Sequence, residues 1–390
     1  MQPHDPDAPT ARTVSRPRPV TLADFTDDLL WVKLMRAPAL ALRPERLAVC
    51  LGGVLLIFFF LAIPGMFSPR SESPLEAFAS FEREAARELL AGLKRFHSGD
   101  IVAAIWKFMF SGPRKMVLES PISAAIMFIP SLLIFALVGC AVSRMVACEF
   151  SQGTKLPWNR ALAFSFKRLP SSVFALLMPL VVVLALGAVI SLFGWTLGLA
   201  GINIIGALAY GIAMFFAALA VIAIATYLLG WPMLIPAIAC EGTDAVDATQ
   251  RAVAYVLGRP LRLFLYSVFL LLQAAVAILI CTVIVAGVEG FIAHASAQFA
   301  GDAARQVASG DAGSLGWSFK GAAWIIKFWH LALSMVVLAF VLCLHFSGST
   351  IRYLLLRRVN DGQELEEIWM PKMIPGTSAP IDPADGDDED

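Results

Sequence analysis

Charged side chains are scarce in this sequence. Asp, Glu, Lys and Arg make up 15% of its 390 residues, and 58% are hydrophobic, whereas a soluble domain has roughly 25% charged residues. The mean hydropathy of +0.74 is too high for a water-soluble core. Most of the apolar excess lies in separate blocks of about 20 residues, the length that crosses a bilayer. The sequence therefore predicts an all-α, polytopic membrane protein, and its charge distribution gives no nucleic-acid footprint.

Motifs of known active sites are also missing. The sequence contains no HExxH, no Walker-type glycine loop, no GxSxG and no CxxC pair. His330 and His345 share the last apolar block but stand fifteen residues apart, about 22 Å along a helix, too far to hold one metal ion. We predict no catalytic residue, no cofactor and no metal site. The six cysteines lie in or beside apolar blocks and are expected to be buried thiols.

The first 46 residues lack the apolar core of a cleavable signal peptide, so the first apolar block is expected to act as an uncleaved anchor. Residues 1–20, rich in Pro, Arg and Asp, are predicted to be disordered. Residues 21–46 are predicted to form an amphipathic segment at the bilayer interface, with Trp31 among basic residues. The acidic stretch at 370–390 predicts a second disordered tail.

Six apolar windows predict six spans within a membrane domain at 47–369. They cover residues 47–67, 121–143, 173–195, 208–238, 264–288 and 325–349. The fourth belongs to an apolar run, Leu197–Cys240, that is too long for one span. It either tilts strongly or is preceded by a short interfacial or re-entrant piece at Leu197–Leu208. Lys and Arg number nineteen on the side of both termini and eleven on the other, which predicts cytoplasmic termini.

The loop at 68–120 is predicted to be structured. Ser73-Pro74-Leu75-Glu76 is a capping box with proline at the first helical position, and apolar residues then recur at helical spacing until Gly99. A second helix is predicted at Ile101–Phe110, ending before Gly112-Pro113. Two helices on the membrane surface and a lid over a cavity are both open interpretations.

An internal repeat with a separation of about 91 residues is the most specific feature. Ala147-Cys148-Glu149 recurs as Ala239-Cys240-Glu241, and Arg160–Arg168 recurs as Arg251–Arg259. In both copies the motif leaves an even-numbered span, runs through an amphipathic helix and enters the next span. The two copies have the same topology, so the repeat is parallel.

The repeat supplies six candidate site residues: Glu149, Arg160, Arg168, Glu241, Arg251 and Arg259. In each copy a carboxylate at the end of a span precedes two arginines near the headgroup layer. These arginines can bind lipid phosphates, each contributing about 1 kcal/mol near an anionic surface. They can also pair with the carboxylates and lock the connecting helix under the bundle. We favour locking with lipid contact over a substrate role.

Two segments carry a resemblance to a known family: Gly230-Trp231-Pro232-Met233 through Glu241-Gly242-Thr243-Asp244-Ala245 to Arg259-Pro260, and Ser347–Arg358 followed by Asp361-Gly362. They resemble an uncharacterised family of bacterial six-span membrane proteins, and the likeness covers most of residues 22 to 369. The shorter Glu-Gly … Arg motif is more loosely similar to YciC-type inner-membrane proteins and to the membrane domain of some glycerophosphodiester phosphodiesterases. The resemblance implies a multi-pass protein of the bacterial inner membrane and supplies no assigned reaction.

Three functions are open at this stage. The leading hypothesis is a non-enzymatic scaffold or accessory subunit that binds membrane lipids or membrane-protein partners, because the span centres carry no charge, ordered interfacial helices are predicted, and the charged ends are predicted to be disordered. A transporter or channel-like protein for a lipid or apolar solute is the second, and a large cavity between the repeats would favour it. An enzyme acting at the headgroup layer through Glu149, Glu241 and the arginines is the third.

Overall fold

The computed structural model describes residues 30–67, 73–313, 315–370 and 373. These residues are mostly helical, and no strand occurs among them. The predictions for residues 1–20, for the first part of the amphipathic segment (21–29) and for most of the acidic tail lie outside the described residues.

Six helices are long and apolar enough to cross a bilayer: α1 (Pro44–Phe67), α2 (Pro121–Gln152), α3 (Leu169–Leu197), α4 (Tyr210–Glu241), α5 (Pro260–Ala300) and α6 (Trp317–Asp361). The predicted fold class and number of spans are confirmed. Each helix is longer than its apolar window, because hydropathy marks only the stretch that can sit in hydrocarbon while the hydrogen-bonded helix continues into polar flanks. The 45 residues of α6 measure about 67 Å, roughly twice the hydrocarbon thickness.

Shorter helices join or precede these six: a 3-10 helix at Leu30–Arg36, then Ala37–Ala41, Pro74–Arg95, Ser98–Trp106, Gly112–Glu119, Trp158–Lys167, Asn203–Leu208, Ala245–Gly258 and Asp302–Ala308. We call Trp158–Lys167 the first connecting helix and Ala245–Gly258 the second. The helix Asn203–Leu208 divides the long apolar run between α3 and α4. The interpretation with a separate short piece therefore describes this run better than one tilted span.

The predicted capping box is present in the helix Pro74–Arg95. The Glu76 N–H donates to Ser73 Oγ at 3.2 Å, and the Ser73 N–H donates to Glu76 Oε2 at 3.2 Å. The predicted stop at Gly99 is wrong, because the chain already turns at Phe96, which adopts a left-handed conformation (φ 52°). His97 then accepts a hydrogen bond from the Asp100 N–H and begins the next helix.

The predicted end of the second loop helix before Gly112 is also wrong. The helix Ser98–Trp106 continues through one π-helical turn, Lys107–Ser111, into Gly112–Glu119. Gly112 packs so closely on Phe81 and Glu82 that a Cβ would not fit. This glycine therefore permits close helix packing instead of ending the helix.

The core lies at one end of the bundle, where α2, α4 and α6 end and α1, α3 and α5 begin. We call it the packed end and the opposite one the far end. Nearly every residue of 136–151, 233–241 and 343–357 is buried there, and Gly139 allows α2 to approach the ring of Phe346 on α6. Five of the six cysteines are buried, and all six are free thiols. By contrast, the only buried residues of α5 are Leu263 and Tyr266, near its start.

Candidate functional site

The two repeat copies form equivalent structures at the packed end. Glu149 lies in the last turn of α2, and Glu241 is the last residue of α4. Each helix ends at a glycine in the left-handed conformation, Gly153 (φ 68°) and Gly242 (φ 62°), as C-caps commonly do. Asp244 then caps the second connecting helix by accepting the Asp247 N–H at 2.9 Å.

Glu149 is held by two arginines that precede the first copy. Arg43 donates from Nη2 to Glu149 Oε1 at 2.8 Å and from Nε at 3.1 Å. Arg46 hydrogen-bonds Oε2 and also donates to the carbonyl of Leu40 at 2.6 Å. Arg46 is buried, whereas 49% of the Arg43 side chain is exposed. These contacts join the start of α1 to the end of α2.

Glu241 is held mainly by α6. Arg357 donates from Nη1 to Glu241 Oε1 at 2.6 Å, and the Tyr353 hydroxyl donates to the same oxygen at 3.3 Å. Only 1% of the Arg357 side chain and 4% of the Glu241 side chain are exposed. Arg251 of the second connecting helix lies 4.0 Å from Oε2 and 3.1 Å from Asp247. The carboxylate thus joins α4 to α6, with the connecting helix beside it.

The predicted pairing of the repeated arginines is correct only for Arg251. Arg160 and Arg259 are exposed, and neither makes an ion pair with any residue that the structure describes. Arg168 stacks on the Trp369 ring at 5.4 Å instead of pairing with Glu149. The prediction fails in the first copy because arginines from the start of α1 occupy both oxygens of that carboxylate.

Arg144 connects the two copies. Its side chain leaves α2 and donates to the carbonyl of Ala239 on α4 at 2.9 Å and to the carbonyl of Trp369 at 2.6 Å. The guanidinium also lies 4.9 Å from the centre of the Phe164 ring. Although buried, Arg144 has no carboxylate partner among the described residues, and main-chain oxygens take that place.

Trp369 is the second connection between the copies. Its main-chain N–H donates to the carbonyl of Cys240 at 2.8 Å, which satisfies one of the carbonyls left free at the end of α4. Its ring packs so closely on Gly242 that a Cβ there would not fit. The ring also meets Phe164 and Arg168 of the first copy. Residues 363–369 therefore pass under both copies, and we call them the strap.

Tyr255 fixes the second connecting helix to the end of α6 by donating its hydroxyl hydrogen to the Asp361 carboxylate. Burial raises the pKa of Tyr255, and the hydrogen bond to Asp361 raises it further. Burial alone would lower the pKa of Arg251, but Tyr353, Glu241 and Asp247 raise it above its usual value. At neutral pH Tyr255 is therefore a neutral donor and Arg251 a cation.

The partners of the two glutamates lie far away in sequence, which is why local spacing missed Arg43, Arg46 and Arg357. A signal was nevertheless present. In an up-and-down bundle the start of α1 lies at the same height as the end of α2, and the ends of α4 and α6 lie at the same height as each other. Arginines that flank the first and last apolar windows are therefore at the right height to meet Glu149 and Glu241.

A cleft of about 250 Å³ lies between α4, α5 and α6, just above this layer of ion pairs. Arg352 and His345 of α6 line it together with apolar side chains of α5. Arg352 is 6% exposed. It donates to Ser267 Oγ at 2.8 Å, while its Nε and Nη2 and the His345 Nε2 are buried with no hydrogen-bond partner among the described residues.

The ionisable side chains at the packed end mainly make structural contacts. Both oxygens of Glu149 and one oxygen of Glu241 accept hydrogen bonds from guanidinium groups, so these carboxylates are engaged in holding helices together. In the described part of the chain, no three His, Cys, Asp or Glu side chains are grouped as they would be to hold a metal ion.

Comparisons with protein-family models, with curated proteins and with solved structures found no match.

Proposed function

We propose that this chain is a non-enzymatic integral membrane protein that binds lipids or partner proteins as a scaffold or accessory subunit. The observation that carries the proposal is the locked packed end. Glu149 and Glu241, the carboxylates of the repeat, are ion-paired with arginines from other parts of the bundle. Such pairs hold helices in fixed relative positions, as a scaffold requires. A carboxylate that exchanges protons with a substrate does not require such a pair.

Two surfaces are available for binding. Arg160, which begins the motif in the first copy, and Arg259, which ends it in the second, are exposed at the packed end, as expected for cations that meet lipid phosphates. Trp158 is half-exposed at the start of the first connecting helix, a suitable place for an interfacial aromatic ring. On α5, apolar side chains face outward along most of its length and offer a surface to lipid tails or to another membrane protein.

We further propose that the packed end faces the cytoplasm in a bacterial inner membrane. Lys and Arg are in excess on that side, as the positive-inside rule requires of cytoplasmic segments. Membership of the uncharacterised six-span family belongs to the same proposal and is supported by the motifs at Gly230–Pro260 and Ser347–Gly362.

The proposal is tested by identifying what the native protein retains in mild detergent, with protein and lipid mass spectrometry. We expect a stoichiometric partner protein or an enriched anionic lipid. The double variant Arg160→Gln/Arg259→Gln should lose anionic lipid, while Lys320→Gln at the far end serves as the matched control. Retention of neither lipid nor partner would reject the scaffold, and equal loss in the control would reject the assignment to the packed end.

Transport of a lipid or apolar solute is the second candidate, and the cleft between α4, α5 and α6 favours it. Its volume is slightly below that of sites for drug-sized ligands, about 300 to 1,000 Å³. Scrambling of fluorescent phospholipids between the leaflets of reconstituted vesicles measures this activity. Scrambling that disappears when Ala274 on the cleft wall is changed to Leu would favour the transporter over the scaffold.

A further inference from the structure

Arg352 differs from the other buried arginines of the packed end. Arg46 and Arg357 each meet a glutamate, and Arg144 meets two main-chain carbonyls. Arg352 meets only the hydroxyl of Ser267, which leaves two guanidinium nitrogens unpartnered among the described residues. A buried cation without a counter-charge is costly, so this site is electrostatically incomplete.

The cleft beside Arg352 has the shape and polarity of a site for an amphiphile. At one side Arg352, Ser267 and Ser349 provide polar atoms, and the other wall is apolar, with Leu270, Ala274 and Ile278 of α5. Guanidinium groups bind phosphate strongly because they combine charge with several directed N–H donors.

The depth of Arg352 points to the headgroup region. It lies three residues beyond the last apolar window, 325–349, toward the packed end, or about 4.5 Å along the helix axis. From there the apolar wall of α5 runs toward the hydrocarbon layer. A phosphate at Arg352 would therefore place an attached acyl chain along Leu270, Ala274 and Ile278.

We propose that Arg352 and Ser267 bind an anionic phosphate group in this cleft, and that the phosphate belongs to a phospholipid whose acyl chain lies along α5. This proposal rests on the lipid-binding part of the proposed function and assigns it a specific site. It concerns a buried site between helices, distinct from the exposed arginines Arg160 and Arg259.

The test uses the full chain in nanodiscs of phosphatidylcholine with a minority of phosphatidylglycerol. After transfer to mild detergent, native mass spectrometry counts the phosphatidylglycerol molecules that remain bound. Arg352→Gln removes the cation, and Ala274→Leu fills the cleft while leaving Arg352 in place. Arg262→Gln is the matched control, because Arg262 is an exposed arginine near the same end of α5. A parallel measurement follows the melting temperature in detergent with added inorganic phosphate.

We expect the native protein to retain phosphatidylglycerol. Arg352→Gln should weaken retention at least about tenfold, as the loss of a charge-assisted hydrogen bond predicts, and Ala274→Leu should weaken it because the added side chain fills the space for the acyl chain. Arg262→Gln should retain the lipid. Equal retention by the native protein and Arg352→Gln overturns the site. If the protein binds lipid at another position, the proposed function still stands. Stabilisation by inorganic phosphate that requires Arg352, without retained lipid, supports the anion site and overturns the lipid as its source. If no lipid is retained and inorganic phosphate has no effect on the melting temperature, the site is overturned altogether. The co-purification experiment then tests the scaffold function separately.

Discussion

The two copies of the repeat carry the same carboxylate but use it differently. At Glu149 the partners are Arg43 and Arg46 from the start of α1, and one of these arginines is half-exposed. At Glu241 the main partner is Arg357 from the end of α6, and both side chains are almost completely buried. The repeated motif therefore positions a carboxylate, while helices outside the repeat decide how deeply the ion pair is buried.

This difference has an energetic consequence. A charge removed from an exposed pair costs about 0 to 1 kcal/mol, whereas breaking a buried pair costs about 3 to 5 kcal/mol because the remaining charge is left without a partner. The Glu241 copy is thus the main structural lock, and the Glu149 copy is the more adjustable one. The following experiments are arranged to challenge that ranking.

The largest effect is expected from Glu241→Gln. This change leaves the Arg357 guanidinium buried without a counter-charge, which should lower the free energy of unfolding by about 3 to 5 kcal/mol. Thermal or SDS-induced unfolding of the purified protein in detergent measures it. As a control, the double variant Glu241→Met/Arg357→Met removes both charges and should recover most of the loss. A single-variant cost below about 1 kcal/mol would contradict the buried lock.

A somewhat smaller effect is expected from Arg144→Gln, which breaks the connection between the copies. We expect the Gln amide to replace one of the two charge-assisted hydrogen bonds to Ala239 and Trp369, and the loss of the other costs about 1.5 to 3 kcal/mol. Unfolding followed by the same method should show destabilisation in that range. If Arg144 and Trp369 act together, Arg144→Gln/Trp369→Ala should cost less than the sum of the two single variants. Strict additivity would show that they hold the copies together independently.

Glu149→Gln should cost less than Glu241→Gln, about 1 to 3 kcal/mol, since the buried Arg46 keeps its hydrogen bond to the Leu40 carbonyl and Arg43 is half-exposed. The exposed partner provides the sharper test. Arg43→Ala should cost at most about 1 kcal/mol, and that cost should shrink as salt is added. If Glu149→Gln proves as destabilising as Glu241→Gln, the contrast between the two copies is wrong.

The smallest effect on stability is expected from Arg160→Ala and Arg259→Ala, since both side chains are exposed and without ion pairs in the described residues. Melting temperatures in detergent should not change measurably. Arg251 occupies the position of the second copy that corresponds to Arg160, but Arg251→Ala should lower the melting temperature, because Arg251 lies beside Glu241 and Asp247. Equal behaviour of Arg251 and Arg160 would argue against a lock in the second connecting helix.

The fold could be predicted from the sequence because its signals are local. Apolar windows of bilayer length gave the six spans, and the hydrogen-bonding groups of Ser73 and Glu76 gave the capping box. The interpretation of Gly112 failed for a physical reason. A glycine can end a helix or allow another helix to approach, and the sequence does not say which neighbour it will meet.

The site was only partly predictable for the opposite reason. Its two carboxylates stand out through the repeat, but their partners follow or precede them by about one hundred residues: Arg357 lies 116 residues after Glu241, and Arg43 lies 106 residues before Glu149. No local spacing links such residues. These residues meet only because their helix ends lie at the same height in the folded bundle. The contacts of Trp369 in the strap depend on the same long-range geometry.

The separation of Glu241 and Arg357 along the sequence also implies an order of biosynthesis. A ribosome completes α4, with Glu241 at its end, long before it reaches Arg357, which neutralises that carboxylate. At 5 to 20 residues per second the delay is on the order of ten seconds. During that interval the new carboxylate has to remain hydrated, so the end of α4 must stay at the membrane surface until α6 arrives. The first copy has the reverse order, because its arginines are already made when Glu149 emerges. One half of the protein can therefore close as it is synthesised, while the other must wait for the last helix.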